Sequence, residues 1–238
     1  MSNRPIVTNT KTELMHIGVI VGMFIASAIL WSNAPDQLPV HWNAKGEVDR
    51  YGGKFEGLLL LPLITVGVYA LLRFIPVMDP GRENYAQFAK PYSMIRWGTT
   101  ALMVAIHAAA LAYVVGYQPD MGFVVGGSVS LLFLLLGNTM GKIRPNWFVG
   151  IRTPWTLSSK LSWTKTHRCG GWTFIGLGLL IGATTLVRSE WAVMMTIVAS
   201  IGSSLGLVIY SYLVWRTDSD RVPPAGTSPA PKESNASE

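Results

Sequence analysis

The chain has 238 residues, half of them hydrophobic and only 13% charged, with a mean hydropathy of +0.35. An average soluble domain carries about 25% charged residues, and here the apolar residues fall in blocks, which excludes an ordinary soluble domain and points to an integral membrane protein. The net charge of +6 does not argue for direct nucleic-acid binding, because the cations cluster at block ends; the single cysteine, Cys169, excludes an intramolecular disulfide.

Taken in order, residues 1–13 form a polar N-terminus with no evident cleavable signal peptide. The first apolar block covers 14–31, long enough to cross a hydrocarbon core of about 30 Å as a helix. A polar loop over 32–54 follows, then a second block over 55–77, a short polar link over 79–92 and a third block over 93–117. The tripeptide Gln118-Pro119-Asp120 reads as a tight turn before a fourth block over 121–136. A long basic loop over 137–171 separates it from a fifth block over 172–187, and a brief link leads to a sixth over 191–215. The tail over 216–238, rich in Pro, Ser and Ala, reads as disordered. The chain therefore divides into a membrane region over 14–117, a second over 118–215, and two polar ends. The fold class is an all-α integral membrane protein of about six transmembrane helices. Gly176, Gly178 and Gly182 in the fifth block and Gly202, Ser203 and Gly206 in the sixth suit close helix approach, or the ordinary tolerance of membrane helices for glycine.

Six spans place both termini on one side. Arg4, Lys11, Arg82, Lys90, Arg216, Arg221 and Lys232 share that side with the six cations of the basic loop, against Lys45, Arg50, Lys54 and Arg188 opposite. This bias puts the termini and the basic loop in the cytoplasm, the loop over 32–54 outside, and the protein in the cytoplasmic membrane as a multi-pass chain. Arg73 and Arg96 are expected to snorkel to the inner headgroups, and Glu13 and His16 to be solvated at the inner border.

The outer loop contains two turn sequences, Asn43-Ala44-Lys45-Gly46 and Tyr51-Gly52-Gly53, and so reads as compact and folded. His41, Glu47 and Asp49 are a weak metal set; Glu47 and Asp49 are expected to pair with Lys45, Arg50 or Lys54 instead. His107, near the middle of the third block, is either functional or bonded to a neighbouring helix. No acid occurs between Asp120 and Glu190, so Lys142, Arg144, Arg152, Lys160, Lys165 and Arg168 stand in the basic loop with Trp147, Trp155 and Trp163, as suits an anionic headgroup surface. Ser158 or Ser159 is expected to cap a short helix that runs to Cys169 and stops at Gly170-Gly171. His167 and Cys169 supply two ligands at most, too few for zinc, and no third group completes a nucleophilic triad. No cofactor, metal or catalytic residue is expected.

Gly137-Asn138, Gly141-Lys142, Pro145-Asn146-Trp147, the run from Gly150 through Arg152, Thr153 and Trp155 to Leu157, Trp163 and Thr166-His167 together resemble the signature of the SdpI-type immunity protein family. Pro39, His41, Asn43, Gly46, Asp49, Gly52 and Lys54 are similar to the small domain of unknown function that precedes this signature in the family. The resemblance covers about residues 10–215. It implies a bacterial membrane protein that protects its producer from a secreted, membrane-active peptide toxin, and a second role in which the toxin-bound protein holds a cytoplasmic transcriptional repressor at the membrane. The residues expected to recognise a toxin are His41, Asn43, Gly46, Asp49 and Lys54; those of the signature loop are Asn138, Lys142, Pro145, Asn146, Gly150, Arg152, Thr153, Trp155, Trp163 and His167. A reading from another class is a membrane-embedded enzyme or transporter for a lipid or small solute. Its basic loop would bind phosphate, and a water-accessible cavity would join His107 to Asn138 and Lys142.

Overall fold

The computed structural model describes residues 9–43, 45–187 and 189–222. Among them, six helices are long and apolar enough to cross a membrane. The first is α1 (Thr10–Leu30), started by Asn9, whose side chain accepts the Lys11 amide at 3.0 Å. Two antiparallel strands, β1 (Leu38–Trp42) and β2 (Val48–Gly52), fold the first loop into a hairpin with Leu38 opposite Gly52. A π-helical turn (Phe55–Leu59) leads into α2 (Leu60–Met78), and a 3-10 turn (Arg82–Phe88) leads into α3 (Ala89–Val114). After α4 (Met121–Met140), the basic loop carries the short α5 (Pro154–Leu157). Two long helices follow, α6 (Lys160–Val187) and α7 (Glu190–Arg216).

At about 1.5 Å per residue, 20 to 28 residues reach across a hydrocarbon core of about 30 Å. Less than a quarter of each span is buried by protein. Leu131, Ile29, Leu186 and Met195 point outward with more than 60% of their surface exposed, an arrangement that lipid, not water, stabilises. The protein is a multi-pass membrane protein.

Small residues set the tightest contact, between α4 and α6. A Cβ on Gly137 would stand 2.7 Å from the Gly171 carbonyl oxygen, and one on Gly126 would strike Thr185. Ser130 donates to the Gly178 carbonyl at 2.7 Å. Gly178 and Gly182 thus belong to this seam, whereas Gly176, Gly202 and Gly206 face open space. The short helix expected to stop at Gly170-Gly171 does not exist: α6 runs unbroken from Lys160 to Val187. Glycine ends a helix where water can take its carbonyls. Here Gly170 and Gly171 are buried against Ile151 and α4, and they supply the close approach instead.

Two ends of the bundle are distinguishable. At one, the hairpin root packs Leu38 and Leu58 with Ala34 and Leu111. At the other, Tyr85, Phe88 and Tyr92, from a segment expected to be a polar link, form a core with Ile75, Ile143 and Trp163. The chain beyond α7 also folds onto this second end. Ser159 donates to the Asp218 carboxylate and the Val222 amide donates to the Ser158 carbonyl at 3.0 Å. The first residues of the tail expected to be disordered are therefore ordered through Val222; the remainder lies outside the described residues.

Candidate functional site

Each end of the bundle carries one folded polar element. The hairpin is built by its own signature residues. The Asn43 side-chain oxygen accepts the amides of Lys45 (2.9 Å) and Glu47 (3.0 Å), and Gly46 takes the positive φ of 82° that closes the turn. Asp49 bonds His41 Nδ1 at 2.6 Å, and Glu47 accepts from the Asn43 amide group at 3.0 Å. The expected pairing of these acids with Lys45, Arg50 or Lys54 is not what holds the loop. Those cations reach out of the hairpin, Lys45 to Glu190 (3.3 Å), Arg50 to Glu56 (2.7 Å) and Lys54 to Asp36 (3.7 Å). Among the described residues no three His, Cys, Asp or Glu side chains come together as a metal site would require.

The hairpin roofs a cavity of about 470 Å³. Its walls are the first turns of α4, the last turns of α6 and the first turns of α7, with β1 and the hairpin tip above. His41 and Asn43 line it, as do Phe123, Val193 and Ile197. His41 is the predicted residue that both faces this space and is solvent-exposed; Asn43 and Gly46 shape the turn, and Lys54 braces the hairpin base, with its ammonium 3.4 Å from the Trp31 carbonyl.

At the other end, the buried signature residues organise backbone. The Asn146 side chain is 2% exposed and makes four bonds: its oxygen accepts the Phe148 and Val149 amides, and its amide group donates to the Arg144 and Val149 carbonyls. The Ile151 amide donates to His167 Nε2 at 3.0 Å, so Nδ1 carries the hydrogen and donates to the Trp163 carbonyl at 2.8 Å. Gly150 has φ 110°, and a Cβ there would lie 2.3 Å from His167 Nε2. Trp163 stacks on His167 at 4.0 Å and donates to the Ile143 carbonyl. Thr153 caps α5 and meets Ser211 of α7 at 3.0 Å, and Trp155 packs on Tyr212. Ser159 accepts the Ser162 amide at 2.9 Å, as an N-cap should. Its hydroxyl, and then the Asp220 amide, hold the Asp218 carboxyl below the usual carboxylate range. Asn138, Lys142, Arg144, Arg152, Lys160, Lys165 and Arg168 are exposed, and Arg152 donates to the Trp147 carbonyl at 2.7 Å.

Two clusters at this end differ from what the sequence suggests. Asp79 accepts from Gly81, from the Tyr85 hydroxyl at 2.8 Å and from the Trp147 amide, and the Asn84 side chain donates to the Pro145 carbonyl, so the 79–88 segment clamps the basic loop. Arg96 does not snorkel. It is 4% exposed and grips Glu13 through both terminal nitrogens at 2.7 and 2.8 Å, with Arg73 at 3.4 Å and the Tyr69 hydroxyl at 2.7 Å on the same carboxylate. His16, expected to be solvated, is fully buried and stacked on Trp97 at 3.6 Å. Glu13, Arg73 and Arg96 each lie inside a span, toward the same end of three successive helices, which is the signal the sequence offers. His107 is buried, with Nε2 3.2 Å from the Ser27 hydroxyl and 3.3 Å from the Met23 carbonyl, a contact that ties α3 to α1.

Residues 142–212 match the SdpI/YfhL protein family, and residues 18–66 match a domain of unknown function, DUF1648. The first match begins at Lys142, so Asn138 falls outside it; the second spans the hairpin. The immunity protein SdpI of Bacillus subtilis (strain 168) is 21% identical over 188 residues, which covers 79% of this chain and 88% of that protein. No solved structure matches.

Proposed function

We propose that this chain, whose residues 142–212 match the SdpI/YfhL family, is a membrane immunity protein that protects the cell against a secreted membrane-active peptide toxin. Its likeness to the Bacillus subtilis immunity protein over most of both chains supports the reading. The observation that carries it is the pair of folded polar elements at opposite ends of the bundle, with the hairpin and its cavity at the cation-poor end. The cation bias puts that end outside the cytoplasmic membrane, where a secreted peptide arrives. His41 lies at the cavity wall and is the contact residue of this reading, whereas Asn43, Gly46, Asp49 and Lys54 hold the hairpin in shape. The cytoplasmic end is the surface open to a repressor, through exposed cations such as Lys160, Lys165 and Arg168.

The test is membrane potential in cells with and without the protein during challenge by a panel of membrane-active peptides. Expression is expected to preserve the potential against at least one peptide, and His41→Ala at equal protein level to weaken that protection. Equal collapse in both strains across the panel would refute direct immunity to those peptides.

A further inference from the structure

We infer that the cavity under the hairpin is a binding site for apolar side chains of a peptide lying in the membrane interface. This deepens the immunity reading and rests on it for the side from which the peptide arrives.

The lining decides the chemistry. Val40, Met121, Phe123, Ile181, Val193 and Ile197 present hydrocarbon. The three threonine hydroxyls in the wall are occupied: Thr185 donates to the Ile181 carbonyl at 2.7 Å, Thr196 to Ala192 at 3.0 Å and Thr184 to Leu180 at 3.0 Å, and the Thr184 and Thr196 hydroxyls meet at 3.0 Å. The remaining polar lining, His41, Asn43, Lys45, Asp120 and Ser189, comes from the hairpin and the starts of α4 and α7, so the wall below them has little to offer an ionised group, whose burial without partners is costly. An uncharged apolar group is the ligand it suits, and about 470 Å³ is within the usual range of ligand cavities.

Depth decides the pose. The α7 wall runs from Glu190, where the helix starts, to Ile197, roughly 10 Å at about 1.5 Å per residue. A peptide lying in the interface buries its apolar face about 5–10 Å deep. A spanning helix of about 30 Å does not fit such a space. The roof suits entry from above. At its root Leu38 is 3% exposed, packed on Gly57 and Leu58. At its tip Lys45 meets Glu190 at 3.3 Å with both side chains more than half exposed, a pair that contributes little and can yield to a ligand.

The test uses the full-length protein in phosphatidylcholine nanodiscs, irradiated with an amphipathic Leu/Lys helical peptide that carries photo-leucine on its apolar face. Adducts are expected on Phe123, Val193 and Ile197. Thr196→Trp, which fills the cavity, is expected to abolish most of them. Val193→Glu, at an exposed position one turn from the start of α7, should do the same by placing a charge there. Met195→Trp, on the lipid-facing side of α7, should leave the yield unchanged. Adducts confined to Met195 and Leu186, or a yield that neither cavity variant lowers, would overturn the site. So would labelling of Phe123 and Ile197 by a photoreactive acyl chain that saturating peptide does not displace, which would give the cavity to lipid. Cavity adducts in a protein that leaves cells unprotected would sink the immunity reading and leave the site standing; protection with adducts elsewhere would do the reverse.

Discussion

A side chain taken out of water must find its partners inside the fold, and the signature residues Asn146, Gly150 and His167 show what that demands. Each reads from the sequence as a residue of the signature loop, yet Asn146 and His167 spend their polar atoms on backbone amides and carbonyls, and Gly150 leaves room for an imidazole. A polar residue in a motif looks the same on paper whether it faces a ligand or its own loop, because burial is decided by distant segments. Glu13 is the sharper case. It sits in the first turn of a span, where solvation at the headgroups would explain it, but the carboxylate is gripped by Arg96 and approached by Arg73, which lie near the same end of α3 and α2. Truncating one partner of such a buried pair leaves the other charge uncompensated, at a cost of about 3–5 kcal/mol. Glu13→Gln is therefore expected to destabilise the protein by about that much in denaturant unfolding in detergent micelles. The double variant Glu13→Leu, Arg96→Met should recover most of the loss, because the cation it leaves without Glu13 is Arg73, whose side chain is 30% exposed and stays solvated. A single variant that unfolds with the native midpoint would show that water reaches Arg96 and that the pair is superficial.

At the scale of elements, hydropathy blocks and end residues gave the six spans legibly, since lipid tolerates only long apolar helices whose backbone groups are satisfied internally. The termini of α6 were not legible. Gly170-Gly171 carries a stop signal in water, and that signal fails when another backbone fills the space a side chain would take. Nor could the sequence separate glycines that let helices approach from those that merely sit in a span: Gly137 and Gly202 look alike until α4 and α6 are placed together. The difference is measurable. Gly137→Ala puts a Cβ 2.7 Å from the Gly171 carbonyl oxygen and 2.8 Å from the Ile175 amide nitrogen, which forces α4 and α6 apart at a cost of about 1–3 kcal/mol. Gly202→Ala meets open space and relieves the unfolded chain of some freedom, so it is expected to be neutral or stabilising by up to about 1 kcal/mol. Thermal unfolding of the two variants in one detergent compares them directly. Equal shifts would mean that the α4–α6 seam is loose enough to absorb a methyl group.

For the molecule as a whole, contacts fix which elements share an end, and the charge bias is the ground on which we propose a compartment for each end. The hairpin, the start of α4 and the start of α7 meet at one end, through Gly46 beside Asp120 and Lys45 bonded to Glu190. The basic loop, the 79–88 segment and residues 217–222 meet at the other. The acids Glu13, Asp79 and Asp218 at that second end are engaged internally, which leaves Lys160, Lys165 and Arg168 exposed without a carboxylate from them. A cationic face favours the cytoplasmic side of the membrane during insertion and meets anionic headgroups there, each Lys or Arg contributing about 1 kcal/mol. In a Cys169→Ser background, Lys45→Cys is therefore expected to react with a membrane-impermeant maleimide on intact cells. Lys165→Cys should react only after permeabilisation, since both side chains are exposed at opposite ends of the same bundle. The reverse pattern would turn the protein over, place the hairpin cavity in the cytoplasm, and remove the route by which a secreted peptide could reach it.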